Sequence, residues 1–257
     1  MGQDLRERKA IIKYLKLNGL NVFPYNFNKK YKPTNILVHY DNACGLNYVF
    51  YENKKMYFPK DWDKQRIQYY YTSLLVEQDI SSPHRYASSS FQVQNNDVVL
   101  DCGTAEGNFA LSVVEKAQKL YLFEIEKEWL TALEKTFAPW KDKVVIVNKY
   151  ISDNSDNNCI TLDNLFPTEK INFLKADIEG AELQLLNGAK SLLARSTKLR
   201  VVLCTYHKQG DAELFDRILT AKGFKTEFSA GYMLVYVLPN FAPPYLRRGV
   251  IRATKLS

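Results

Sequence analysis

The sequence predicts an α/β fold with a seven-stranded, mostly parallel sheet, a terminal antiparallel hairpin and an α+β extension in front. Three observations carry this. From residue 97 onward, β-rich apolar runs alternate with helical patterns. Three of those runs end in an acid, at Asp101, Glu124 and Asp177. The alternation stops after Gly223, where two extended runs flank Ala230-Gly231 with no helix between them. Strand–helix alternation implies parallel strands with helices on both faces, whereas extended segments joined by a tight turn pair antiparallel.

The elements follow in order. Residues 4–17 place Leu5, Ile11, Ile12 and Leu15 among basic residues as a short helix, which Asn18-Gly19 stops. Residues 35–59 are extended: Ile36–Tyr40 and Tyr48–Tyr51 are β-rich, and Glu52–Lys55 is a turn before Met56-Tyr57-Phe58. Residues 62–80 return to helix, with Ile67, Tyr70, Tyr71, Leu74 and Leu75 on one face. Strands are then expected at 97–102, 119–124, 143–151, 171–177, 198–206 and 232–238. Helices are expected at 107–117, 127–138, 179–194 and 211–222, with the short segment 161–166 filling the third connection. The chain thus divides into an extension (1–90), a nucleotide-site domain (91–240) and a basic tail (241–257). A parallel sheet ending in an antiparallel hairpin is the class I, Rossmann-like methyltransferase architecture.

Composition bounds the function. At 257 residues and 46% hydrophobic content the chain can bury a sizeable core. No apolar run reaches the ~18 residues of a membrane span. The first residues carry acids and no apolar stretch, so no signal peptide is expected, and Arg6 stands where a myristoylation motif needs Ser or Thr. Cysteines 44, 102, 159 and 204 form no C-x-x-C pair and read as free thiols of a cytoplasmic protein. The net charge of +7 splits into +6 over residues 1–90, −3 over 91–240 and +4 over 241–257. Basic flanks suit nucleic acid, anionic lipid or an acidic sugar, but a solvated lysine-rich face is the simpler reading.

The loop after the first core strand, Asp101-Cys102-Gly103-Thr104-Ala105-Glu106-Gly107, is a strand–loop–helix nucleotide site. Its D-x-G-x-x-x-G spacing is not the three-glycine dinucleotide fingerprint, and Glu106 sits where a pyrophosphate would be repelled. S-adenosylmethionine, a sulfonium with an amino-acid tail and no phosphate, fits better. Glu124, about 20 residues on at a strand end, is placed to accept both ribose hydroxyls. Thr104, Asn108, Ile125 and Tyr150 complete the expected cofactor contacts with Asp101, Gly103, Glu106, Gly107 and Glu124.

The second constellation is Lys175-Ala176-Asp177-Ile178-Glu179-Gly180-Ala181-Glu182. Ligands of open α/β sheets bind beyond the carboxyl ends of the strands, so Asp177 faces the crevice. As a helix N-cap Asp177 has an ordinary structural explanation, as Glu179 does in a first helical turn. His207, after the fifth strand, is the expected partner of Asp177 in removing a proton, with Glu179 beside them. His84, Arg85 and Tyr86, in the loop before the first core strand, are expected substrate contacts together with Glu182. His39 lies in an alternating strand and reads as structural. A divalent ion on Asp177 and a neighbouring carboxylate is an alternative to a general base, but no ligand set has diagnostic spacing, so the metal stays unknown.

The D-I-E-G-A-E run, the D-x-G-x-x-x-G loop, Leu162-Asp163 and Tyr206-His207 resemble the FkbM-type S-adenosylmethionine-dependent methyltransferases over residues 80–238. The resemblance implies the class I fold and O-methylation of a hydroxyl on a sugar, glycan or small metabolite. The extension would then cap the acceptor site. RNA methylation is disfavoured by the absence of an N-P-P-Y-type tetrad after the fourth strand, and the acceptor is not expected to be nucleic acid. A non-catalytic nucleotide-binding module is disfavoured by the intact Asp101, Gly103, Gly107, Glu124 and Asp177. Neither the acceptor's identity nor the oligomeric state is legible.

Overall fold

The computed structural model describes residues 2–236 and 242–255. A seven-stranded sheet runs in the order β11-β14-β10-β9-β4-β5-β6. Its strands are β4 (Val98–Cys102), β5 (Lys119–Phe123), β6 (Val144–Val147), β9 (Phe173–Ala176), β10 (Leu199–Cys204), β11 (Lys225–Phe228) and β14 (Val250–Lys255). The β10-β9-β4-β5-β6 pairings are parallel, and β14 alone runs against its neighbours. Apart from Asp101 and Lys175, β4 and β9 are apolar because both faces are covered, as parallel strands require.

One face carries α5 (Leu162–Leu165), α6 (Glu182–Asn187), α7 (Lys190–Arg195) and α8 (Asp211–Ala221), whose Leu162, Leu185, Leu192, Phe215 and Leu219 pack on Leu100, Leu174 and Leu203. The other face carries α3 (Asn108–Val113) and α4 (Lys127–Phe137). The extension lies over these two helices with its residues 46–74, while residues 4–8 lie against Tyr232 and Arg248. It comprises α1 (Gly2–Asn18), a meander of β1 (His39–Asp41), β2 (Leu46–Tyr51) and β3 (Lys54–Tyr57), and α2 (Lys64–Glu77). Met56, Phe58, Trp62 and Ile67 are buried in the same cluster as Phe109, Leu111, Trp129 and Leu133. The Tyr57 amide also donates to Thr136 Oγ1 at 3.0 Å. The extension therefore shares its core with the sheet domain. His39 stacks on Tyr48, as a structural histidine.

Four expectations need correction. The partner of the 225–228 strand is not residues 232–238 but β14, which inserts between β10 and β11. Met233–Leu234 (β12) instead pairs with Leu246–Arg247 (β13) in a separate ribbon, and residues 237 and 238 lie outside those described. The expected basic tail is thus in part a central strand. Ile251 and Ala253 are buried on one face, and Arg252 is accommodated because its guanidinium donates to the carbonyls of Tyr86 (3.0 Å) and Arg85 (2.8 Å). Charge hid the strand from a reading based on polarity, although Val250, Ile251 and Thr254 are good strand formers. Finally, the 179–194 helix is two helices. They break at Gly188, where a Cβ would sit 2.0 Å from the Ser152 carbonyl oxygen. The remaining short elements are β7 (Tyr150–Ile151) and β8 (Cys159–Ile160), a two-stranded pair where one longer strand to residue 151 was expected.

Candidate active site

The glycine loop is shaped by close backbone approach. Gly103 (φ 76°) follows β4, and a Cβ there would lie 1.8 Å from the Asp177 carbonyl oxygen. The ends of two adjacent strands meet only because this residue has no side chain. Gly107 (φ 84°) starts α3 against Phe137 and Leu133. Glu124 pins the loop from the next strand. Its Oε2 accepts the Ala105 amide at 2.6 Å and its Oε1 accepts the Glu126 amide at 2.8 Å. Each oxygen keeps a second lone pair for a ligand hydroxyl.

Asp101 is not a wall of the crevice, contrary to expectation. It is fully buried and faces Lys175 Nζ at 3.0 Å, while that ammonium also donates to the Gly103 carbonyl at 2.6 Å. Burial disfavours the Lys175 charge, but the Asp101 and Asp177 carboxylates outweigh it and hold the ammonium protonated. A lysine inside an otherwise apolar strand was the overlooked signal, since a buried ammonium needs a buried partner. Gly107 also stays behind the loop; its role is the turn.

Two clefts open above the strand ends. One, of about 510 Å³, is lined by Gly103, Ala105, Phe123, Glu124, Ile125, Trp129, Tyr150, Ile151, Asp177, Ile178 and Glu179. The other, of about 200 Å³, is lined by Tyr70, Glu77, His84, Tyr86, Thr104, Glu106, Asn108, Lys175 and Tyr206. Both share Gly103, Ala105, Asp177 and Glu179, so these residues mark the junction. A larger cavity of about 790 Å³ lies between α1 and the β11–β14 edge. None of the strand-end acids line it, so it is remote from this chemistry.

Asp177 is the hub of the junction. Tyr86 donates to its Oδ2 at 2.7 Å, and His84 Nε2 is 3.4 Å away. His207 Nε2 and the Tyr206 hydroxyl each lie 3.5 Å from Oδ1. Burial would raise the Asp177 pKa, but His84, Lys175 and His207 together hold it well below the usual carboxylate range. Burial also opposes a charge on His207, but Glu182, Asp177 and Glu179 raise its pKa on balance.

Two expected substrate contacts are displaced. Glu182 is fully buried; its Oε1 accepts the Ile178 amide and lies 3.0 Å from His207 Nδ1, so it supports the site from beneath. Arg85 lines the remote 790 Å³ cavity. The segment from Ser82 to Arg85 is a turn closed by the Arg85 amide on the Ser82 carbonyl at 3.3 Å; it leaves His84 and Tyr86 buried and Arg85 only half-buried. Two further groups come from α2, which carried no recognisable motif. Tyr70 donates to Glu106 Oε2 at 2.7 Å, and Glu77 lines the smaller cleft. Burial pushes Glu106 up to about 7, against the Tyr70 hydrogen bond, and raises Glu77 as well.

The profile of the methyltransferase FkbM domain matches residues 83–226, more than half of the chain. An rRNA methylase from Streptococcus thermophilus is 17% identical, over 64% of this chain and 90% of that one, with a TM-score of 0.45. Precorrin-6y C5,15-methyltransferase from Geobacter metallireducens is 12% identical over 65% and 85%, with a TM-score of 0.45. A Streptococcus mutans protein in complex with SAH is 17% identical over 64% and 91%, with a TM-score of 0.40. No curated protein matches the chain. The matched span contains the glycine loop, Glu124, the Asp177 cluster and five strands of the sheet that positions them. This chain belongs to the FkbM methyltransferase family and is a methyltransferase of the class I fold.

Proposed function

We propose that the protein transfers a methyl group from S-adenosylmethionine to a hydroxyl oxygen of a sugar, glycan or small metabolite. The observation that carries this reading is the position of Asp177, an ionised carboxylate where the two clefts meet.

The larger cleft suits the cofactor. Glu124 has two oxygens with lone pairs to spare for ribose hydroxyls, and Ile125, Tyr150 and Ile151 offer flat apolar surface to a purine. Glu106, once ionised, suits an amino-acid ammonium beside the loop, with Thr104 and Asn108 as neighbouring polar groups. The bound sulfonium supplies a methyl group already activated for in-line displacement. The enzyme's task is therefore mainly orientation. Asp177 accepts the acceptor hydroxyl's hydrogen and turns its lone pair toward the methyl carbon. As the oxygen–carbon bond forms, the carbon–sulfur bond breaks with its electron pair going to sulfur, and the hydroxyl proton passes to the Asp177 cluster. A carboxylate held this far below the usual range is a weak base, so its main part is to orient the hydroxyl, with His207, whose pKa is raised, beside it to take up the proton. His84 and His207 stabilise the carboxylate, while Tyr86 and Tyr206 donate to it.

The acceptor approaches through the smaller cleft, whose wall includes Tyr70, Ser73 and Glu77 of the extension. A capping role for residues 1–90 follows. The RNA reading loses ground because the C-terminal arginines are spent internally: Arg247 donates to the Tyr206 and His207 carbonyls, and Arg252 to those of Tyr86 and Arg85. Among the described residues no helix is long and apolar enough to cross a membrane, and the four free cysteines fit a cytoplasmic site.

The test is a methyl-transfer screen with labelled S-adenosylmethionine over sugars, oligosaccharides and RNA, alongside calorimetry. Methylation of a hydroxyl compound, lost in Asp177→Asn, supports the proposal. Binding of NAD but not S-adenosylmethionine refutes the cofactor; methylation of RNA alone refutes the acceptor class.

A further inference from the structure

His207 is buried, with a side chain only 3% exposed, yet its Nε2 has no hydrogen-bond partner. Its Nδ1 lies 3.0 Å from Glu182 Oε1. Its Nε2 points between two carboxylates, 3.5 Å from Asp177 Oδ1 and 3.6 Å from Glu179 Oε2. The two Nε2 separations exceed an N–H···O hydrogen bond, whose usual length is about 2.9 Å. They match the spacing of donor atoms that share one cation, about 3.0–3.6 Å for ligand bonds near 2.1 Å. The three donor atoms all lie within 4.8 Å of one another.

We propose that Asp177, Glu179 and His207 bind one divalent cation at the junction of the two clefts, with Glu182 as a positioning residue. The methyl-transfer reading supplies only the ion's role; the site itself rests on this geometry. Charge supports it independently. Among the described residues, the ion-pair partners of Asp177, Glu179 and Glu182 are all histidines, and Lys175 is engaged by Asp101. Three carboxylates therefore converge on His207, and His84 and Lys175 offset the charge of Asp177 alone. Glu182 beside Nδ1 sets the proton on that nitrogen and leaves the Nε2 lone pair facing the carboxylates. A carboxylate behind the histidine is how metal-ligating imidazoles are held. Two carboxylates and one imidazole, with no thiolate, select a hard or borderline ion such as Mn²⁺ or Mg²⁺. Three protein ligands leave positions open, as catalytic sites do. In those positions an acceptor hydroxyl would bind beside the transferable methyl group, its oxygen made more acidic by the ion.

The full-length protein, stripped with a chelator, is titrated with Mn²⁺ and followed by electron paramagnetic resonance and calorimetry. One saturable ion per chain is expected. His207→Ala and Glu179→Gln should each weaken it at least tenfold, while the remote Glu169→Gln leaves it unchanged. Glu179 is 85% exposed, so its variant folds even if His207→Ala does not. Glu182→Gln should weaken binding about 10–100-fold. It should also shift the visible absorption of the Co²⁺-loaded protein, which a purely structural role leaves unmoved. Absence of a saturable site, or affinity unchanged in Glu179→Gln, overturns the proposal. S-adenosylmethionine binding is measured separately. Cofactor binding without Mn²⁺ binding overturns the cation site and leaves the methyltransferase reading intact; Mn²⁺ binding without cofactor binding does the reverse.

Discussion

Replacing Glu106 by glutamine should stabilise the protein at alkaline pH and leave it unchanged at acid pH. Glu106 is a buried residue of the glycine loop, hydrogen-bonded by Tyr70. Burial raises its pKa from the ordinary 4.5 to about 7, with the buried Glu77 adding to the effect. The folded chain therefore keeps this proton up to pH 7, whereas the unfolded chain releases it above pH 4.5. Between those values the native state binds more protons, so stability falls as pH rises. At about 1.4 kcal/mol per pKa unit, the cost amounts to about 3 kcal/mol once pH exceeds 7. Glutamine has the same shape, still accepts from Tyr70, and carries no charge to desolvate. Thermal melts of both proteins from pH 4.5 to 8.5 should diverge by about 6–12 °C at the alkaline end and converge at the acid end. An equal difference at every pH, or a variant less stable at pH 8, would refute the burial argument. The same carboxylate links to the cofactor. If its ionised form meets the amino-acid ammonium, S-adenosylmethionine binding should release a proton below pH 7. That release, read by calorimetry in buffers of different ionisation enthalpy, should vanish in Glu106→Gln.

Gly103→Ala should prevent normal folding or cofactor binding, because its Cβ would overlap the Asp177 carbonyl oxygen at 1.8 Å; a variant with wild-type stability and affinity would contradict the close approach. Glu124→Ala should lose at least the ~2–3 kcal/mol of charge-assisted hydrogen bonds to a ribose, read as cofactor affinity in protein whose circular dichroism is unchanged. Lys175→Met should cost about 3–5 kcal/mol in denaturant unfolding by stranding Asp101, and Asp101→Leu in the same chain should recover much of it. A double variant no more stable than Lys175→Met would show that the pair is not coupled.

By itself the sequence determined which segments form the sheet's parallel half, where the nucleotide loop lies, and that Asp101, Glu124 and Asp177 stand at strand ends. These are local properties: side-chain periodicity reports which face is buried, and a glycine marks a tight turn wherever it occurs. Only the tertiary structure decided what those residues face. Asp101 turned out to anchor Lys175, 74 positions away, and Glu182 to brace His207 from beneath. The extension's Tyr70 and Glu77 entered the smaller cleft although the tyrosine run of their helix reads more simply as packing, because a tyrosine on an apolar face looks the same whether it packs a core or lines a site. The seventh strand was hidden for a related reason. Arg252 and Lys255 read as a solvated tail until the carbonyls of residues 85, 86, 193 and 194 are brought within reach of their charged groups. Local pattern encodes burial; the partner that makes a buried charge tolerable is brought in from far along the chain by packing.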